Sequence, residues 1–129
     1  MDTIVQKVKF KASPEKLYGI FLDSKKHSQA TGAKAVVSRK VGGKFTAWNG
    51  YIRGKNLLLV RGKTIVQSWR SAEFKPDHPD SILVLAFEKA PGGCRLTLTH
   101  AGIVARASNY AKGWRAFYWK PITKYLKGK

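Results

Sequence analysis

The side chains best suited to proton transfer or metal ligation are few: three histidines, one cysteine and seven carboxylates among 129 residues. His100 closes "LTLTH" on the strand face shared with Leu96 and Leu98. There a ring nitrogen could offer a bound ligand one donor or acceptor, or bond a backbone or tyrosine group instead. His27 and His78 fall in segments expected to be exposed, with no partner that spacing identifies. A nucleophilic triad needs a nucleophile, a base and an orienting carboxylate, yet there is no Gly-x-Ser-x-Gly elbow, and the carboxylates cluster away from His100 in sequence. Residues 24–72 and 89–129 hold no Asp or Glu, which leaves little material for a general acid/base pair. The run "VGGKF" lies between expected strands and lacks the Lys-Ser or Lys-Thr that follows a nucleotide-binding glycine loop. The single cysteine, Cys94, excludes an internal disulfide, and no Cys or His cluster has metal-ligand spacing. No catalytic residue, metal or cofactor is assigned.

A second chemistry is written in aromatic residues. The stretch "NYAKGWRAFYWKP", residues 109–121, carries Tyr110, Trp114, Phe117, Tyr118 and Trp119 around Lys112, Arg115 and Lys120. Trp48 and Trp69 lie on other expected elements. Aromatics at strand or helix spacing fill cores, and the same side chains can wall a ligand cavity; the two readings overlap.

The third chemistry is charge. Twenty-five Lys and Arg oppose seven Asp and Glu, a formal charge of +18. Such an imbalance supports weak, nonspecific attraction to nucleic acid or anionic lipid through counterion release, or a solvated basic surface with no dedicated partner. An aromatic RNP-type motif is absent. The N-terminus "MDTIVQKVKF" has no signal-peptide pattern, and no apolar run approaches the roughly 20 residues that span a bilayer. The expectation is one unprocessed cytoplasmic domain over residues 1–129 with no membrane insertion.

These residues need positioning elements. "TIVQKVKFKA" alternates Lys7, Lys9 and Lys11 with Val8, Phe10 and Ala12, the period-two pattern of a half-buried strand. In "ASPEKLYGIFLD", Ser13 caps a helix, Pro14 suits its first turn and Glu15 complements its dipole. A second short helical or irregular segment, 24–31, ends at Gly32. From residue 33 strands alternate with turns: "AKAVVS", Gly42-Gly43, "KFTAW", Asn49-Gly50, "YIR", Gly54-Lys55, "NLLLV", Arg61-Gly62-Lys63 and "TIVQSWR". "EFKPDHPD" is a loop, and "SILVLAFEK" and "CRLTLTHA" make a hairpin across Pro-Gly-Gly. Ser108 is placed to cap a last helix whose apolar face is Tyr110, Trp114, Phe117, Tyr118, Ile122, Tyr125 and Leu126. Gly113 and Pro121 predict a kink near residues 117–121, not a break.

The order predicts an α+β fold in which a curved antiparallel sheet wraps a long C-terminal helix, with two short helices between the first two strands. The runs "FKASPEKLYGIFLDSKKHSQATG", "VGGKFTAWNGYIRGKNLLLV", "KTIVQSWR", "LTLTHAGI" and "YAKGWRAFYWKPITKYL" resemble the activator of heat-shock protein 90 ATPase homologue family, a branch of the START and birch-pollen-allergen-like (SRPBCC) superfamily. After the Trp-Arg motif, where that family often has Trp-Pro, this sequence reads "AEFKPDHP" with Phe74 and Pro76. The resemblance implies the helix-grip fold and a cavity between sheet and C-terminal helix, adapted across the superfamily to many apolar ligands. Trp48, Trp69, His100, Tyr110, Trp114, Phe117 and Tyr118 are the candidate ligand-binding residues. The preferred function is noncatalytic binding of a small apolar or amphipathic ligand. A cochaperone-like protein docking an acidic chaperone through its basic face is the alternative, and an enzyme using the cavity ranks third.

Overall fold

In the computed structural model, which describes residues 2–104 and 107–128, the elements follow in the order β1 (Asp2–Phe10), α1 (Pro14–Leu22), α2 (Ser24–Thr31), β2 (Val36–Val37), β3 (Lys44–Ala47), β4 (Ile52–Val60), β5 (Thr64–Ser71), β6 (Ser81–Ala90) and β7 (Gly93–Ile103). A C-terminal helical segment completes the chain as α3 (Ala107–Trp114), a π-helical turn (Arg115–Trp119) and α4 (Lys120–Lys127). All seven strands join one antiparallel sheet in the order β1-β7-β6-β5-β4-β3-β2. The two short helices sit between β1 and β2, and the architecture is the α+β helix-grip fold.

Period-two burial decides which residues face the helix. On β5 the buried set is Ile65, Gln67, Trp69 and Ser71, and on β7 it includes Leu96, Leu98 and His100. The lysines of β1 point the other way, with Lys7 and Lys9 exposed while Ile4 and Phe10 are buried. Ser13 caps α1 by accepting from the Lys16 amide at 3.1 Å, and Asp23 caps α2 by accepting from Lys26 at 2.9 Å while also pairing with Arg39. Gly32 closes α2 at φ 84°, in the left-handed region.

Three expectations change. Gly54-Lys55 is not a turn: β4 runs unbroken from Ile52 to Val60, with a register shift between Asn56 and Leu58. Glycine occupies position 54 because the neighbouring strand passes too close for a side chain. A Cβ there would lie 1.8 Å from the Ser68 carbonyl oxygen and 2.8 Å from the Phe45 ring. The Asn49-Gly50 signal does mark a hairpin, but the connection takes four residues, since Ala47 and Ile52 are the last pair. Trp48, Asn49 and Gly50 all have positive φ, at 53°, 59° and 89°. Ser108 lies within the first turn of α3 instead of before it.

The expected distortion of the last helix takes a specific form. Pro121 has no N–H, and in an unbroken α-helix its ring would crowd the carbonyl four residues back. The π turn relieves this: the Lys120 amide bonds the Arg115 carbonyl, five residues back. A π turn holds one extra residue, so Trp119 arrives where an α-helix would have put its predecessor. Trp119 is therefore buried, although periodicity left it off the apolar face, and Phe117 is left 53% exposed, although periodicity put it on that face. Trp119 is fixed by donating its Nε1–H to Gln6 of β1 at 2.6 Å, and Gln6 in turn donates to the Ala111 carbonyl.

The close approach at Gly54 generates a test. Gly54→Ala should cost about 3 kcal/mol or more, because the intruding atom meets backbone and cannot be accommodated by a rotamer change. Urea denaturation would check it, and a loss below about 1 kcal/mol would mean the strands are not packed as described.

Candidate functional site

The C-terminal helix is seated on the sheet through Trp114. Its indole is 4% exposed and donates Nε1–H to His100 Nδ1 at 3.2 Å. A nitrogen that accepts carries no proton, so the proton is on His100 Nε2, which donates to Ser81 Oγ at 2.8 Å. Ser81 then donates to the Trp69 carbonyl at 2.7 Å. Helix, β7, β6 and β5 are thus tied by one chain of bonds with every donor matched. His100 is completely buried, no carboxylate bonds it, and burial pushes its imidazole from the usual 6.5 down to about 4. It is a neutral structural histidine.

His27 plays a similar part at the other end of the interior, contrary to its expected exposure. It is buried, its Nδ1–H donates to the Phe21 carbonyl at 3.2 Å, and its Nε2 accepts from the Tyr118 hydroxyl at 2.9 Å. Burial lowers its pKa too, and raises that of Tyr118. Spacing could not reveal this partner, which lies 91 positions away in the chain. His78 accepts weakly from the Lys75 amide in the β5–β6 loop. Among the described residues no cluster of His, Cys, Asp and Glu is placed to hold a metal ion.

Beside the Trp114 seat the helix stands off the sheet and leaves a cavity of about 390 Å³. Of the seven candidates, Trp48, Trp69, Tyr110, Trp114, Phe117 and Tyr118 line it and His100 does not; its ring is covered by Trp69, at 4.6 Å between centroids, and by Trp114. Trp48 and Phe117 meet edge to face at 5.2 Å across the space between loop and helix. Beyond the rings of Trp69, Trp114 and Tyr118 the interior closes. The space left among Phe21, Phe45 and Leu83 is only about 10 Å³, hardly room for one water.

Sequence reasoning missed Tyr51, Ile52, Glu73, Asn109 and Gly113, which also line the cavity. Gly113 opens space by having no side chain: a Cβ there would meet only the Phe117 ring, at 3.7 Å. Tyr51 donates its hydroxyl to Glu73 at 2.6 Å, and burial with that bond pushes its pKa up to about 12. Tyr110 shares a 2.7 Å hydrogen bond with Ser71, and burial raises its pKa. The positions flanking Asn49-Gly50 and the loop after Trp69-Arg70 were the available signals. Phe74 in that loop packs edge-on against both Trp69 and Tyr110.

Among the described residues one buried side-chain donor is left over. Trp48 Nε1 has no partner, on a bulky residue held at φ 53°. An unbonded buried N–H costs about 1–3 kcal/mol, and left-handed backbone at such a residue adds strain of about 1–3 kcal/mol. Both costs fall on the residue at the cavity's edge.

The chain matches, over residues 11–127, the family model described as activator of Hsp90 ATPase homolog 1-like protein. The chain belongs to that family. It is 32% identical over 120 residues to the human activator of 90 kDa heat shock protein ATPase homolog 1, covering 92% of this chain and 35% of the human protein. To the mouse homolog 2 it is 29% identical over 119 residues, covering 92% of this chain and 36% of the relative. The chain thus spans about a third of the length of the curated relatives it matches. Among solved structures, an HSP90 activator from Plasmodium falciparum superposes with a TM-score of 0.89 at 24% identity, covering 97% of this chain and 96% of that one. Among the described residues of this member of the activator of Hsp90 ATPase homolog 1-like family, no helix is long and apolar enough to cross a membrane.

The His100 relay has a pH signature. Its folded pKa lies below the unfolded value, so between about 4 and 6.5 the unfolded chain binds more protons, and stability rises with pH. The contribution is fully present above 6.5 and is lost as pH falls toward 4. Between pH 7 and pH 5, His100 alone should account for about 2 kcal/mol of lost stability, with His27 adding in the same direction. Urea midpoints across that range would check it, and His100→Asn should flatten the slope. An unchanged slope would mean that His100 is not the buried neutral base.

Proposed function

We propose that this protein holds a small apolar or amphipathic ligand, without transforming it, in the cavity between the C-terminal helix and the β4–β5 end of the sheet. The observation that carries this reading is the cavity itself, about 390 Å³ walled by indole, phenol and phenyl rings, beside a space of only about 10 Å³ among Phe21, Phe45 and Leu83. Its volume falls within the roughly 300–1,000 Å³ of small-molecule sites, and its few polar groups are of the kind that orient a ligand. Neither buried histidine faces an acid that could make a catalytic pair: His100 is committed to Trp114 and Ser81, His27 to Phe21 and Tyr118.

Gly113 supplies the test. Gly113→Leu would place an isobutyl group into the cavity from a helix where leucine is favoured over glycine by up to about 1 kcal/mol. Saturable quenching of tryptophan emission by a neutral aromatic probe is expected for the wild-type protein. The variant should bind at least about tenfold more weakly while melting no lower. Saturable binding that is indifferent to Gly113→Leu would place the ligand elsewhere, and no saturable binding of any apolar probe would defeat the reading.

A second reading is favoured by the relatives' names and by the charge. Proteins named as activators of the 90 kDa heat shock protein ATPase match most of this chain, and Lys25, Lys26, Lys40, Lys44 and Lys63 are all exposed. An acidic chaperone docking on that basic surface would bind with a steep salt dependence. The two readings use different parts of the molecule and are compatible.

A further inference from the structure

The charge balance at the cavity runs against that of the whole protein. The chain has 25 Lys and Arg, yet among the described residues none lines the cavity, and the one charged residue that does is Glu73. Its carboxylate accepts from the Tyr51 hydroxyl and forms no ion pair with any described cation. Arg70, three residues before Glu73, is held by Asp80 and by the carbonyls of Lys75 and His78, with its guanidinium over the Phe74 ring. In a protein with such a surplus of cations, a carboxylate beside an aromatic wall that pairs with none of the described ones is set up to receive one from outside.

The wall suits the same kind of guest. Ring faces carry negative potential, and an ammonium group placed over tryptophan or tyrosine is attracted to it, more so when water is excluded. Trp48, Tyr51, Tyr110 and Trp114 surround one space with Glu73. Most of the protein's positive charge lies on exposed side chains. Over distances beyond about 8 Å it is screened at physiological ionic strength, so the contact charge of Glu73 decides the local preference.

We infer that the ligand of this cavity is an amphipathic cation, an apolar or ring-bearing body ending in an amine or quaternary ammonium group, and that Glu73 with its Tyr51 partner receives the charged end. An anionic amphiphile such as a fatty acid would place its carboxylate beside that of Glu73, with no cation among the described lining residues to compensate. This inference rests on the binding function proposed above and specifies its chemistry.

Three probes with one naphthyl ring and different ends separate the two claims: naphthylethylamine, naphthylethanol and naphthylacetate, titrated calorimetrically at physiological ionic strength against wild type and Glu73→Gln. The amine should bind at least about tenfold more tightly than the acetate, with the alcohol between. Glu73→Gln should bring all three within about twofold, chiefly by weakening the amine, while the melting temperature stays close to that of wild type. If the alcohol binds and the acetate equals or exceeds the amine, or if the order survives Glu73→Gln, the inference falls and the cavity reading stands. If none of the three binds wild type, both fall together.

Discussion

The hydrogen bond from Trp114 to His100 is the joint on which the rest of the molecule turns. A lone helix laid on a sheet would slide and roll over an apolar surface, because hydrophobic burial has no direction. Trp114 removes that freedom by ending in a donor that the buried His100 ring accepts, and the Ser81 and Trp69 bonds behind it fix the acceptor's orientation. Trp119 makes a second directional contact with Gln6 on the edge strand β1, beside β7. With both indoles anchored, the π turn between them is held in register, and Phe117 is left at the cavity rim with Gly113 opposite no side chain of its own. The cavity follows from where these two tryptophans must sit.

The strands, the two short helices and the order of elements were legible because each rests on a local signal. Lys7, Lys9 and Lys11 alternate with apolar residues, Ser13-Pro14-Glu15 opens a helix, and Pro-Gly-Gly closes a hairpin. Six of the seven candidate residues line one space: alternation places Trp69 on β5 and helical recurrence places Tyr110 and Trp114 on α3, while Trp48 comes from the β3–β4 turn and Phe117 and Tyr118 from the π turn. What escaped depended on long-range contact. Gly54 looks like punctuation until Ser68 is brought against it, and His27 looks solvated until Tyr118 arrives from the far end of the chain. The exchange of Phe117 for Trp119 on the buried face comes from a single extra residue in one turn, which a fixed 3.6-residue period cannot express.

Electrostatics divides the molecule in two. The interior holds neutral histidines and hydrogen-bonded polar groups such as Asn56 and Gln67, while most of the described cations are exposed, where water and salt moderate their repulsion. Self-repulsion from +18 lowers stability throughout, so the packed aromatic interior and the directional joints are set against it. Within that field the loop from Trp48 to Tyr51 carries left-handed backbone, an unbonded indole N–H and a tyrosine given to a carboxylate. Costs of this kind gather where a partner is received, and here they gather beside the cavity.

The central claim is that this cavity exists to be filled. Native mass spectrometry of the protein purified gently from its source tests it most directly. The expected result is a fraction carrying one small molecule that is released on denaturation, is positively charged when free, and is absent when Gly113→Leu is purified the same way. A bare polypeptide mass in every preparation, with Gly113→Leu indistinguishable from wild type, would contradict it.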